Sequence, residues 1–337
     1  MSAVDSYGSD DSGLVCGFYF DAHGQGHNVD GLQALHRLET ARTAQQGFVW
    51  LHFSLSHTAT RKWLRSQVQL PDEFHDLLSE SSRSTRVERH DEALLAVVND
   101  VRYDFAFEAA DLATLWLYVG ERLVVSARLQ PLRAIDRLRD AVRHGERLPS
   151  SMALLVHLMH DQGDVLAGIV RATTQRVDDI EDTLLAGRLG AKRADLSALR
   201  RLLVRLQRLL APEPASLFRL LHRPPDWIAQ DDLADLRQST EEFNVALSDM
   251  AALQERIKLL QEEIAARVAE SDNHSLYVLT IVTVLALPIN MIAGLLGMNV
   301  GGIPLADHPH GFVLVLLVVV VVTLLAAWFA FRKRGND

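Results

Sequence analysis

From Leu276 to Leu296 the chain reads LYVLTIVTVLALPINMIAGLL, and from Gly311 to Phe331 it reads GFVLVLLVVVVVTLLAAWFAF. Each stretch is 21 residues without a charged side chain. About 20 apolar residues are enough to cross a bilayer as a helix. The two stretches therefore read as transmembrane helices, and the chain reads as a membrane protein with a large soluble N-terminal part.

The connection between them, residues 297–310, holds no Lys or Arg, whereas the tail carries Arg332, Lys333 and Arg334. Arg256, Lys258 and Arg267 precede the first span. The positive-inside rule then puts both termini in the cytoplasm and the connection outside. One hairpin of near-minimal length cannot enclose a pore, so any conduit requires several copies.

Upstream, no Pro or Gly occurs between Pro225 and Pro288. A helix from about Leu233 into the membrane would run at least about 55 residues, roughly 80 Å. Such a length without caps predicts a stalk that associates with copies of itself. The boundaries expected are a disordered N-terminus over 1–12, a cytoplasmic α/β domain over 13–150 and a cytoplasmic helical region over 151–231. A stalk helix continuing into the first span follows over 232–296. Then come an outer loop over 297–310, the second span over 311–331 and a basic cytoplasmic tail over 332–337. In the α/β domain, strand-like runs are Leu14–Phe20, Phe48–Ser54, Ala93–Phe107, Leu115–Val119 and Leu123–Ala127, with a hairpin turn at Gly120–Glu121. Ala59–Ser79 reads as helical with a break near Pro71. Ser150–Ser151 reads as a helix cap, and a further helix over Ala194–Leu210 stops before Pro212.

The 337 residues include 34 Lys and Arg against 43 Asp and Glu, a net charge of −9. The first 274 hold 31 basic and 41 acidic side chains. An acidic domain repels phosphates and attracts cations, which excludes nucleic acid as a natural partner. The single cysteine, Cys16, permits neither an intrachain disulfide nor a Cys-rich zinc site. No phosphate loop, dinucleotide fingerprint, H-E-x-x-H or EF-hand is present. No catalytic constellation and no cofactor is expected, and the chain does not read as an enzyme.

The two spans differ. The second is nearly all Val, Leu, Ala and Phe, as a lipid-facing helix should be. The first contains Thr280, Thr283, Pro288 and Asn290, and polar groups in a span face protein or water. At 100° per residue with Thr280 at zero, Asn273, Leu276, Thr283, Leu287, Asn290 and Gly294 all join it within about 100° of arc. Alternating Thr or Asn with Leu on one seam suits a narrow hydrated pore with apolar constrictions. It also suits a packing seam, with each Thr bonded to its own helix.

Immediately after this span comes Gly297-Met298-Asn299, followed by Val300-Gly301-Gly302-Ile303-Pro304. Gly-Met-Asn at the outer end of the first of two C-terminal spans resembles the signature of the CorA family of divalent metal ion transporters. The extended GMNVGGIP is similar to the ZntB-like zinc transporter branch. The resemblance covers the whole chain. It implies a funnel-shaped homopentamer in a bacterial inner membrane, with five long helices continuing as pore-lining spans. Asn299 would then ring the outer mouth and meet the hydrated ion. Gly297 would permit the turn that ends the helix, and Met298 would pack to fix it. The loop VGGIPLADHPHG lacks the acidic Met-Pro-Glu stretch of magnesium-type members, which points to zinc.

Asp307, His308 and His310 lie in the outer loop, where five copies would make a ring that attracts cations; His with carboxylate suits zinc better than magnesium. His23 and His27 read as part of a flexible loop. His157 and His160 share a helical face but lack a third ligand. The acidic run Asp178-Asp179-Ile180-Glu181-Asp182 reads as a solvated face or a cation-concentrating one, with no partner identified. Glu255 and Glu262 line the seam of the stalk or flank it beside Arg256 and Lys258. Should transport be proton-coupled, His274, at the membrane edge, is the candidate proton carrier. The expected function is zinc uptake through a pentameric pore. The alternatives are a CorA-type magnesium, cobalt or nickel channel and, in a different class, a membrane-tethered sensor that conducts nothing.

Overall fold

The structure, a computed structural model, describes residues 8–79, 85–105, 112–186, 193–298 and 309–332. The chain forms two compact units, Met1–Gln261 and Glu262–Asp337.

Seven strands build the first unit: β1 (Leu14–Phe20), β2 (Gly26–Asn28), β3 (Phe48–Ser54), β4 (Arg86–His90), β5 (Ala93–Val101), β6 (Leu112–Val119) and β7 (Leu123–Arg128). They lie in the order β2-β1-β3-β7-β6-β5-β4. Among the described residues only the β3–β7 pairing is parallel. It joins strands about 70 residues apart in sequence, with Trp50 opposite Val124. The hairpin at Gly120 forms as its composition predicts, with the Gly120 amide donating to the Leu123 carbonyl at 2.9 Å.

Helices cover both faces. Against one face lie α1 (Gly31–Ala44), α2 (Thr60–Gln67) and α3 (Asp72–Ser79), with Ala34, Leu38, Leu64 and Phe74 packing on Val49, Leu51, Phe53, Val97 and Trp116. On the other lie α4 (Arg133–Arg143), α5 (Ser151–Leu185) and α7 (Pro212–His222), through Leu138, Leu154, Leu155 and Leu217 against Phe18, Phe20, Trp50, Leu94 and Leu117. A register shift between Leu14 and Cys16 places these two residues of equal parity in opposite cores, the usual effect of a bulge.

Ser150 caps α5, accepting the Ala153 amide at 2.8 Å. α6 spans Arg193–Leu210, and Pro212 then opens α7, because proline at the first turn gives up an amide that has no partner there. Sequence periodicity missed α1, whose buried positions are only Ala34, Leu38 and Ala41. Its signal was the capping box of Asp30 and Gln33. Of the stretch expected to be disordered, residues 1–7 lie outside the described residues, and Asp10 accepts the Ser12 and Leu14 amides at 2.8 and 2.9 Å in a turn. Of the strand-like run Ala93–Phe107, the strand covers Ala93–Val101, where the Asp100 carboxylate accepts the Val101 amide; residues 106 and 107 lie outside the described residues.

The long helix is α8, Gln230–Leu296, 67 residues. It ends in the second unit, which among the described residues also holds α9, Gly311–Arg332.

Candidate functional site

Among the described residues α8 is the one helix long and apolar enough to cross a membrane, and α9 is apolar over Gly311–Leu325. Within α8, Thr280 and Thr283 donate their hydroxyls to the Leu276 and Leu279 carbonyls, both at 2.8 Å. This satisfies each hydroxyl's hydrogen within its own helix and leaves oxygen lone pairs for water or a neighbour. Pro288 lies inside the helix and removes the amide that would bond the Val284 carbonyl.

The helix has a covered face and an open one. Tyr277, Ile281, Leu285, Pro288 and Ile292 are half-buried; on the scale that sets Thr280 at zero they fall between about 60° and 140°. Ile289 and Ala286, near 180° and 240°, are also partly covered. Asn273, Leu276, Thr280, Thr283, Leu287, Asn290 and Gly294 are all exposed, Leu276 at 60% and Leu287 at 65%. A Cβ added at Gly294 would meet no atom within 4 Å. In α9, Val315, Val319, Val322 and Thr323 are partly covered, a stripe at steps of three and four that marks one helix face. The structure thus separates the polar stripe of α8 from the face that its own unit covers.

At the outer end, the Gly297 amide donates to the Ala293 carbonyl at 2.9 Å and α8 stops. A Cβ at 297 would lie 3.0 Å from that carbonyl oxygen, so glycine fits the close approach. Met298 is half-exposed. Asn299, Asp307 and His308 lie outside the described residues. Pro309 and His310 form the turn into α9, and the His310 carbonyl accepts the Leu314 amide at 3.2 Å.

The remaining candidates are dispersed. No group of three His, Cys, Asp or Glu that could hold a metal occurs among the described residues. In place of the expected flexible loop, His23 lies in a turn and His27 in β2 opposite Tyr19: Asp21 accepts the amides of His23 and Gln25 at 2.9 and 3.0 Å and faces the His27 ring at 3.3 Å. His157 pairs with Asp161 at 3.1 Å, which raises its pKa. His160 lies 3.4 Å from Glu242. The acidic run has the partner that sequence could not name: Arg256 pairs with Asp178 at 2.7 Å and with Glu181. Glu255 is exposed beside Lys258 at 2.9 Å, and Glu262 is exposed.

An α/β unit followed by a helix of 67 residues and an apolar helix α9 is the arrangement to set beside known proteins. Residues 45–333 match the family described as CorA-like Mg2+ transporter protein, and the chain belongs to that family. It is 29% identical over 335 residues to the divalent cation transporter CmaX of Pseudomonas aeruginosa, covering 99% of each chain. To the zinc transport protein ZntB of Pectobacterium carotovorum it is 25% identical over 285 residues, 85% of this chain and 87% of the relative. The solved structure of full-length CmaX superposes with a TM-score of 0.81 at 29% identity, over 96% of this chain and 98% of that one.

Proposed function

We propose that this divalent cation transporter carries zinc into the cell as a homopentamer in a bacterial inner membrane. Residues 232–296 form the stalk and first span, 311–331 the second span, and both termini face the cytoplasm. The observation that carries this reading is the exposed seam of Asn273, Leu276, Thr280, Thr283, Leu287, Asn290 and Gly294, turned away from the covered face of α8. Five such seams around an axis would line a path with hydroxyl and amide oxygens between leucine constrictions.

The ion meets Asn299 with its water shell, drawn in by Asp307, His308 and His310. It then passes Gly294, Asn290, Leu287, Thr283 and Thr280. Gly297 and Met298 shape the mouth. The driving force for a divalent cation is about 4.6 kcal/mol per 100 mV. Imidazoles in the outer loop favour zinc over magnesium, and relatives carry the name zinc transport protein. The family's own description names magnesium, which supports a second reading as a magnesium channel.

The test is zinc entry into sealed proteoliposomes holding a zinc dye, wild type against Asn299→Ala. Uptake lost in the variant and poorly blocked by excess magnesium is expected. Magnesium flux without zinc flux would select the second reading.

A further inference from the structure

Glu213, in the first turn of α7, and Gln162, in the middle of α5, are both buried. The Gln162 amide nitrogen donates to the Asn99 carbonyl at 2.7 Å and to Oε2 of Glu213 at 3.1 Å. Both of its hydrogens are therefore spent. The amide orientation is fixed, because a flipped Gln162 would set its oxygen against the Asn99 carbonyl. Two acceptors remain buried without a donor: Oε1 of Gln162 and Oε1 of Glu213. They sit on the two groups already joined by the 3.1 Å bond. A buried acceptor left without a donor is costly, and a hydrogen on Oε1 of Glu213, donated to Oε1 of Gln162, would satisfy both.

We propose that Glu213 is a proton-binding site, its carboxyl carrying a hydrogen on Oε1 that donates to Oε1 of Gln162 and closes an acid–amide ring between α7 and α5. Through Gln162 the ring also holds β5 at Asn99. Release of the proton to water leaves a carboxylate with no hydrogen to give Oε1 of Gln162, and the ring opens. The site is a latch that alkaline pH loosens.

The electrostatic surroundings agree. Charged and titratable groups on the elements around the ring include Asp100 on β5, His157, Asp161 and Asp164 on α5, Asp136 and Arg139 on α4, Arg86, Glu88, Arg89 and His90 on β4, and Arg205 and Arg208 on α6, with Arg219 and His222 on α7 itself. Arg139 lies 3.5 Å from Asp136 and Arg89 3.1 Å from Glu92, while Asp161 faces His157. Burial pushes the Glu213 carboxyl up to about 8, and the charge acting on it, that of Asp100, opposes ionisation further.

Difference infrared spectroscopy of the full chain in detergent, wild type minus Glu213→Gln, tests this across the pH range. A protonated-carboxyl C=O band is expected in the wild type at neutral pH, absent from the variant and bleaching with a midpoint near 8. Glutamine keeps the shape and donates its own N–H to Gln162, so the variant should retain the ring. Carboxylate bands alone at neutral pH would overturn the proposal. Should the variant fail to assemble, wild type labelled with carbon-13 in its glutamate carboxyls decides the matter. One glutamate C=O band persisting at neutral pH supports the site, and its absence overturns it.

Discussion

Arg256 on α8 pairs with Asp178 on α5 across 2.7 Å and extends its other terminal nitrogen to Glu181. The two acids lie three residues apart on one face of α5, so a single guanidinium clamps both. The pairing ties the acidic run to the long helix. All three side chains are more than a third exposed, so water screens the clamp.

Arg256→Ala should therefore lower stability by about 1 kcal/mol or less. Denaturant midpoints at low and high salt check this. The difference between wild type and variant should shrink as salt rises.

A buried chain under the sheet should cost more to break. Arg128 donates to Nε2 of His52 at 2.9 Å, so the ring's own hydrogen sits on Nδ1 and goes to Oγ of Ser126 at 2.8 Å. Trp50 donates to the same oxygen at 2.9 Å. Ser126→Ala strands two buried donors at about 1–3 kcal/mol each. Chemical denaturation should show a loss of several times that for Arg256→Ala.

Replacing Thr280, Thr283 and Asn290 together with Leu separates a conduit from an anchor. Leucine at all three positions turns the open seam of the span wholly apolar and removes its side-chain oxygens. Metal flux into proteoliposomes should vanish while the assembly, measured by light scattering, keeps its mass. Undiminished flux would refute the seam as the path.

Stability should fall as pH rises above neutrality. Burial raises the Glu213 carboxyl to about 8 and that of Asp100 to about 7. Each binds a proton in the folded state that the unfolded chain has already lost, so its contribution declines from its ordinary pKa up to the raised one and is flat beyond. On the acid side His52 opposes them. Its burial, with the nearby Arg128 and Arg139 charges, holds its pKa well down, and the unfolded chain takes up that proton as pH drops through the ordinary imidazole value. Thermal midpoints should decline from about neutral to pH 8 and then level. In Glu213→Gln the decline should end near 7 instead.

Much of the candidate site was legible because helix phase is a local property. Once a span is helical, 100° per residue puts Thr280, Thr283 and Asn290 on one side whatever they touch. The same holds for the strand runs Leu14–Phe20 and Phe48–Ser54, which the structure returns with the same limits. The helix α1 was illegible because two of its three buried positions are alanines, which leave no apolar stripe to read.

The sequence by itself determined the charge-free lengths suited to a bilayer, the unbroken run between Pro225 and Pro288 and the polar seam. All of these follow from transfer energies and backbone geometry over neighbouring residues. Only the tertiary structure decided that β3 lies beside β7, that Arg256 answers Asp178 and Glu181, and that Glu213 meets Gln162. Those pairs are 50 or more residues apart. Their meeting depends on how the sheet and helices close around a shared core, an outcome of the whole chain's packing that no local window contains.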